Sequence, residues 1–151
     1  MRVSAKADYA VRAAMELAAA GEGPVKKSAI VGAQKIPPKF LENILIELRH
    51  AGLVRSQRGS EGGYWLAKPA EEIAIADVVR AVEGPLAMVR GEPPETTEYD
   101  GAAATLQQVW IAVRSNLRAV LENVTVADVA SGKLPKEVAQ LAKNPESWVT
   151  R

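Results

Sequence analysis
The sequence predicts a mainly α-helical protein with one small β-hairpin and a long helix in its C-terminal half. Three observations predict it. Apolar residues recur at helical spacing through the first half of the chain, the period shortens once around glycine-rich residues 59–63, and an apolar stripe runs from Leu106 to Leu121. At 151 residues, 48% hydrophobic and 25% charged, the chain is long enough to bury one core and carry an extension. It contains no cysteine, which excludes disulfides and thiolate-held zinc, haem or iron–sulfur clusters, and one histidine, His50, is too little for an imidazole metal site. Apolar runs are soon broken by charge, as by Glu16 after Ala13, Ala14 and Met15, and no signal-like apolar stretch stands at the N-terminus. A cytoplasmic protein is expected.

Ser4 suits the cap of a first helix in which Ala10, Ala14, Leu17 and Ala18 recur at helical spacing until Gly21, Gly23 and Pro24 end it. A short second helix is expected over residues 28–34, with Ile30 and Val31 inward, giving way at Lys35 and Ile36 to Pro37 and Pro38. Pro38 fits the first position of a third helix, where its missing N–H costs nothing, and it holds Pro37 extended as a cap must be. Leu41, Ile44, Leu45 and Leu48 form the apolar stripe of that helix, Gly52 its left-handed stop, and Leu53 the apolar residue that folds back on the last turn. Residues 54–58 and 64–67 read as two strands of a hairpin with a flexible tip at Gly59, Ser60, Glu61, Gly62 and Gly63. Ile75, Val78, Val79 and Val82 predict a fourth helix ending at Gly84-Pro85, its start charged or capped by Glu71 and Glu72. Residues 87–101 are expected to be a flexible loop, because 89–101 hold prolines, glycines and four acids without an apolar period.

The stripe of Leu106, Val109, Trp110, Val113, Leu117, Val120 and Leu121 lies in a segment, 102–123, about 33 Å long as a helix. Nothing after it can cover such a stripe fully, so it is expected to pack on a second copy of the chain. The expected organisation is a DNA-binding domain over 1–86, the loop, a dimerisation helix and following turn over 102–131, and a tail or short helix over 132–151. Val138, Leu141 and Ala142 after Pro135 favour the short helix.

Charge divides the chain. Residues 1–70 hold 11 Lys/Arg against 6 Asp/Glu, and the remainder 8 against 12, which together give the net +1. A basic half suits a polyanion. Two helices joined by a tight turn and followed by a basic, glycine-tipped hairpin are the order of a winged helix-turn-helix. Its third helix offers Lys39 to phosphate or guanine, Glu42 to cytosine N4 and Asn43 to adenine or phosphate. The hairpin carries Arg55 and Arg58 beside small residues that let the backbone approach phosphate, and an arginine at such a tip can enter a narrow minor groove.

The stretches SAKADYAVRAAMELA (4–18), PPKFLENILIELRHAGLVRSQRGSEGGYWLAKP (37–69) and EEIAIADVVRAVEG (71–84) closely resemble the Rrf2 family of bacterial transcription regulators. The resemblance covers roughly residues 1–86. It implies a homodimer on a palindromic operator, the long C-terminal helix as the dimerisation element, and Glu42 and Arg58 as readers of base edges and minor groove. The best-known members hold an iron–sulfur cluster on three cysteines in the region matching 88–104; the absence of cysteine here implies a cluster-free branch with no cofactor and no metal. Many relatives also have glycine where Glu61 stands, and a side chain there resists positive φ.

Each assignment has a plainer alternative. Glu42 can be a surface charge paired with Arg49 or Lys39, and Arg58 a strand-end charge. Lys6, Tyr9 and Arg12 can face phosphate, or Tyr9 can be a half-buried core ring. Trp110 reads as an interface anchor rather than a ligand platform, His50 as a complement to the helix dipole, and Glu92, Glu95, Glu98 and Asp100 as a solvated acidic loop without calcium-loop spacing. Catalysis has no footing: 59–63 lacks the Lys-Ser/Thr of a phosphate loop, and one histidine supports no triad. The reading is therefore a DNA-binding transcription regulator, not an enzyme, acting on double-stranded DNA as a repressor. Its alternatives are a protein-interaction adaptor, or a sensor of an unidentified ligand, metal or protein that binds DNA in one state only.

Overall fold
The computed structural model describes all 151 residues. Seven α-helices and one two-stranded sheet follow in the order α1 (Ala5–Ala19), α2 (Lys27–Gln34), α3 (Pro38–His50), β1 (Val54–Gln57), β2 (Gly63–Leu66), α4 (Ile75–Glu83), α5 (Leu106–Leu121), α6 (Val126–Ser131) and α7 (Lys136–Lys143). The fold is the mainly helical one with a small hairpin that the periodicity predicts.

The Ser4 side chain caps α1 by accepting the Ala7 N–H at 3.0 Å. The buried face of α1 is Ala7, Ala10, Ala13, Ala14 and Leu17. Four alanines keep that face thin, and α3, α4 and α6 all pack on it. Lys35 ends α2 in the left-handed region, with φ 53°, and the buried Ile36 follows. Pro38 occupies the first turn of α3 behind an extended Pro37. At its other end the Gly52 N–H reaches the Arg49 carbonyl and the Leu53 N–H the Leu48 carbonyl, both at 3.0 Å, with Gly52 at φ 75°. This double bond pattern is the left-handed stop that Gly52 and Leu53 predict.

The hairpin is antiparallel, pairing Val54 with Leu66 and Gln57 with Gly63. Arg58 and Ala67 lie just outside the strands. Val25 pairs with Tyr64 through bonds of 2.7 and 2.8 Å, so the segment before α2 borders the hairpin. Ahead of α4, Glu71 and Glu72 belong to a separate 3-10 turn; it is Asp77 that accepts the Ala74 N–H, at 2.9 Å.

The chain beyond the long helix departs most from expectation. α5 starts at Leu106 because Gly101–Ala103 form a 3-10 turn, so it has 16 residues and a length of about 24 Å. The turn expected after it is α6, capped reciprocally by Thr125 and Asp128 and stopped by Gly132 at φ 72°. The Ile75 N–H reaches the Val124 carbonyl and the Val126 N–H the Ile73 carbonyl, each at 2.8 Å, and Val124 and Val126 are buried in the main core. The N-terminal core is thus completed by residues from beyond α5, where six residues of helix are too few to announce themselves by period. α7 supplies the short helix hinted at after Pro135; Val138 packs on the core while Leu141 stays exposed.

Val126→Ala should lower unfolding free energy by about 2 kcal/mol, from lost burial and the cavity left behind. Val129→Ala, on the exposed side of α6, should change it by less than about 0.5 kcal/mol. Urea titration at one fixed protein concentration distinguishes them; equal effects would detach α6 from the core.

Candidate nucleic-acid interface
Burying Leu41, Ile44, Leu45 and Leu48 turns Lys39, Asn43, Ile46 and His50 to the opposite side of α3, all of them exposed. Glu42 lies on one flank, with its carboxylate 3.9 Å from Lys27 Nζ. Its ionic partner is therefore a residue of α2 rather than Arg49 or Lys39. Phe40 and Glu47 lie on the other flank, where Lys6 Nζ is 2.9 Å from Glu47. Tyr9 is half-buried, its ring edge-on to Phe40 at 6.0 Å and covered by the Arg12 guanidinium at 4.8 Å. Arg12 also donates to the Gln34 carbonyl at 2.8 Å and pairs with Asp8 at 2.9 Å, so it braces the end of α2 instead of standing free toward solvent.

The hairpin tip is shaped by close approach. A Cβ on Gly62 would stand 2.0 Å from the Gln57 carbonyl oxygen, and one on Gly63 2.6 Å from that of Val25. Both positions therefore exclude any side chain. Glu61 raises no such conflict: Gly59, at φ 103°, takes the left-handed conformation, whereas Glu61 is not among the residues with positive φ. Arg55, Arg58, Gly59 and Ser60 are exposed.

Lys26 fixes the tip from outside, its Nζ donating to the Ser60 carbonyl at 2.5 Å and the Gly59 carbonyl at 3.3 Å. Consecutive lysines thus reach the wing and the flank of α3. Arg49 adds a second tie, donating to Ser56 Oγ at 3.1 Å. The structure therefore brings Lys6, Lys39, Glu42 and Asn43 to the exposed sides of α3, ties the tip at Gly59–Ser60 to the neighbouring α2, and turns Tyr9 partly inward. Lys26 and Lys27 are missing from the sequence reading because their contacts join positions far apart in the chain, which periodicity does not report.

α5 has no fully buried residue. Leu106, Trp110, Val113, Leu117, Val120 and Leu121 are half-buried and Val109 is 51% exposed. An open apolar trough of about 540 Å³ runs along it between Val109 and Leu121. Trp110 faces Met1, Met88 and Val89 across a smaller apolar hollow of about 170 Å³.

The connection over 87–101 has more internal order than a flexible loop. Pro94 and Thr97 are buried, and Gln107 donates to the carbonyls of Glu95 and Thr97 at 3.2 and 2.7 Å. Arg114 pairs with Glu95. Backbone hydrogen bonding first, and the Arg114 guanidinium second, hold the Glu95 carboxyl below its ordinary range.

The chain matches the family model Rrf2, described as an iron-dependent transcriptional regulator, over residues 3–132. The chain belongs to the Rrf2 family. It is 54% identical over 143 residues to Rv1287 of Mycobacterium tuberculosis, covering 94% of this chain and 89% of that one. It is 35% identical to the HTH-type transcriptional regulator CymR of Bacillus subtilis, covering 87% and 91%. Among solved structures, CymR, the global cysteine regulator of B. subtilis, superposes with a TM-score of 0.74 at 33% identity, covering 87% of this chain and 98% of that one. IscR of T. potens gives 0.69 at 31% identity, covering 100% and 93%. This Rrf2 protein is a DNA-binding transcription regulator and not an enzyme.

An iron–sulfur cluster does not fit the residues present. Such clusters are held chiefly by thiolates, and the chain has none. Carboxylates are the acidic donors of 88–104, Glu95 is already engaged by Arg114, and no His, Asp and Glu side chains gather as a metal-binding group.

Gly62→Ala should displace the hairpin tip while leaving the helices intact. Amide exchange at residues 57–63 should accelerate with unchanged far-ultraviolet dichroism; unaltered exchange would show that the tip tolerates a side chain.

Proposed function
We propose that this regulator works in the cytoplasm as a homodimer, binds a palindromic operator in double-stranded DNA, and represses by occluding a promoter, without an iron–sulfur cluster. The observation that carries the reading is the exposed polar face of α3, with Lys39, Asn43 and His50, beside a hairpin tip in which Gly62 and Gly63 admit no side chain. A helix fits the major groove, and carbonyls held back by Lys26 leave the exposed Gly59 and Ser60 for phosphate, with the buried Gly62 shaping the turn behind them. Lys39 and Asn43 serve phosphate or base edges, and Glu42 exchanges Lys27 for cytosine N4. Arg58 enters the minor groove beside Gly59, Ser60, Gly62 and Gly63, and Lys6 with the Tyr9 hydroxyl lies toward the backbone of the duplex. Leu106, Val109, Trp110, Val113, Leu117, Val120 and Leu121 form the dimer contact, supported by the trough that nothing in the chain covers. Two copies then present α3 to major grooves about one turn, roughly 34 Å, apart.

The hollow at Trp110 favours a second reading, a regulator that binds DNA in only one state of an apolar effector. A pure protein-interaction adaptor differs from both in lacking salt-sensitive duplex binding.

Selection from fragmented genomic DNA with metal-stripped protein near physiological salt should enrich a palindrome. Diffuse binding even at low salt would overturn the reading. Light scattering at micromolar concentration should give a dimer; a monomer would sink the half-site geometry. Arg58→Ala should weaken operator binding and flatten the log–log salt slope by about one per protomer. Unchanged affinity and slope would remove Arg58 from the interface. Glu42→Ala should relax base preference by about 1–3 kcal/mol at one position of each half-site, read by repeating the selection.

A further inference from the structure
Ile46 stands 42% exposed on α3. It is not a leftover of the core stripe: Lys39, Asn43, Ile46 and His50 follow at spacings of four, three and four residues, directly opposite the buried Leu41, Leu45 and Leu48. A branched aliphatic side chain therefore occupies the middle of the face that is otherwise polar or cationic. Phe40, 52% exposed, and Ile46 border a shallow concavity of about 250 Å³ whose polar edge is Lys6, Asn43 and Glu47.

A single exposed apolar residue is ordinary on a protein surface, and position gives this one meaning. Lys39 lies on the same face of α3, while Lys6 at the edge of the concavity is already paired with Glu47, so the surface that matches it is anionic beside Lys39, hydrogen-bonding at Asn43 and apolar within. The major groove of duplex DNA has that chemistry. Phosphates line its edges, and its floor carries one kind of apolar group, the C5-methyl of thymine. Contact with an acidic protein surface would satisfy Lys39 but leave Asn43 no patterned floor to read.

We propose that Ile46 is a specificity-determining residue that packs on thymine methyl groups in the operator. The proposal rests on the DNA-binding reading above and names part of the sequence that is read. Ile46 follows Asn43 by three residues, about 4.5 Å along the helix axis, against base-pair steps of about 3.4 Å. The thymine it selects therefore lies one or two base pairs from the position that depends on Asn43.

Deoxyuridine tests this cleanly, because it keeps every hydrogen-bonding group of thymidine and lacks only the methyl. Duplexes of the selected operator, each with one thymine position per half-site replaced by deoxyuridine, are titrated with the wild type and with Ile46→Ala. The wild type should lose roughly fourfold in affinity per methyl, the worth of one apolar carbon buried, and roughly 16-fold when both half-sites are changed. Ile46→Ala, which touches no core position and should keep native dichroism, should bind the thymine duplex correspondingly less and be indifferent to the replacement. Wild-type binding insensitive to every replacement, or Ile46→Ala as sensitive as the wild type, would overturn the methyl contact. Salt-sensitive operator binding that persists alongside either result leaves the regulator reading standing. Failure to enrich any duplex overturns both.

Discussion
The thin, alanine-lined face of α1 is the constraint on which the rest of the molecule depends. Ala7, Ala10, Ala13 and Ala14 place almost no side chain between α1 and its neighbours, so α3, α4 and α6 approach the same helix closely. Interiors pack at crystal-like density, and a larger residue at any of these positions would push a whole helix outward. Because the buried stripe of α3 is fixed against this surface, the rotation of α3 is fixed as well. The exposure of Lys39, Asn43 and Ile46 thus follows from alanines that have no contact with a ligand.

The hairpin is positioned by a different kind of force. Its sheet has two strands of four residues each, which is marginal alone, and it is held by what borders it. Val25 pairs with Tyr64, Lys26 grips the tip carbonyls, and Arg49 reaches Ser56. The ties of Lys26 and Arg49 are exposed polar contacts, each worth little when solvated, whereas the base of the hairpin is anchored by apolar packing, with Val54 in the main core and Val25, Tyr64 and Leu66 against it.

Elements with a sustained period or strong punctuation were legible in the sequence. The stripes of α1, α3 and α5, the Pro37-Pro38 boundary, the Gly52-Leu53 stop and the glycine tip each carry a local physical requirement that names its residues. α6 was not legible, because Val126 and Val129 in six residues define no period and the cap at Thr125 and Asp128 gains meaning only beside Ile73. α5 starts later than residue 102 because Gly101–Ala103 form a tighter turn, which composition does not distinguish from helix. Within the site, residue types on α3 were readable from amphipathicity, whereas the pairing of Glu42 with Lys27 and of Lys26 with the wing depends on tertiary approach. Ile46 gains meaning only once the buried stripe fixes the rotation of α3 and leaves this apolar residue on the exposed face, a local mismatch of the kind that marks functional surfaces.

The connection over 87–101 shows what can order that region in a chain without thiolates. Pro94 and Thr97 are buried, Gln107 binds two of its carbonyls, and Arg114 holds Glu95, so its conformation is tied to α5 through side chains of the helix itself. Trp110, one turn before Arg114, faces Met88 and Val89 at the start of the same connection. Anything that displaces this segment therefore acts directly on the helix that carries the apolar trough. Glu95 contributes in its ionised form. With its pKa lowered in the folded chain, that contribution is complete above the ordinary carboxylate range and is lost as pH falls through the lowered value. Near neutrality the tie between Glu95 and Arg114 is therefore constant.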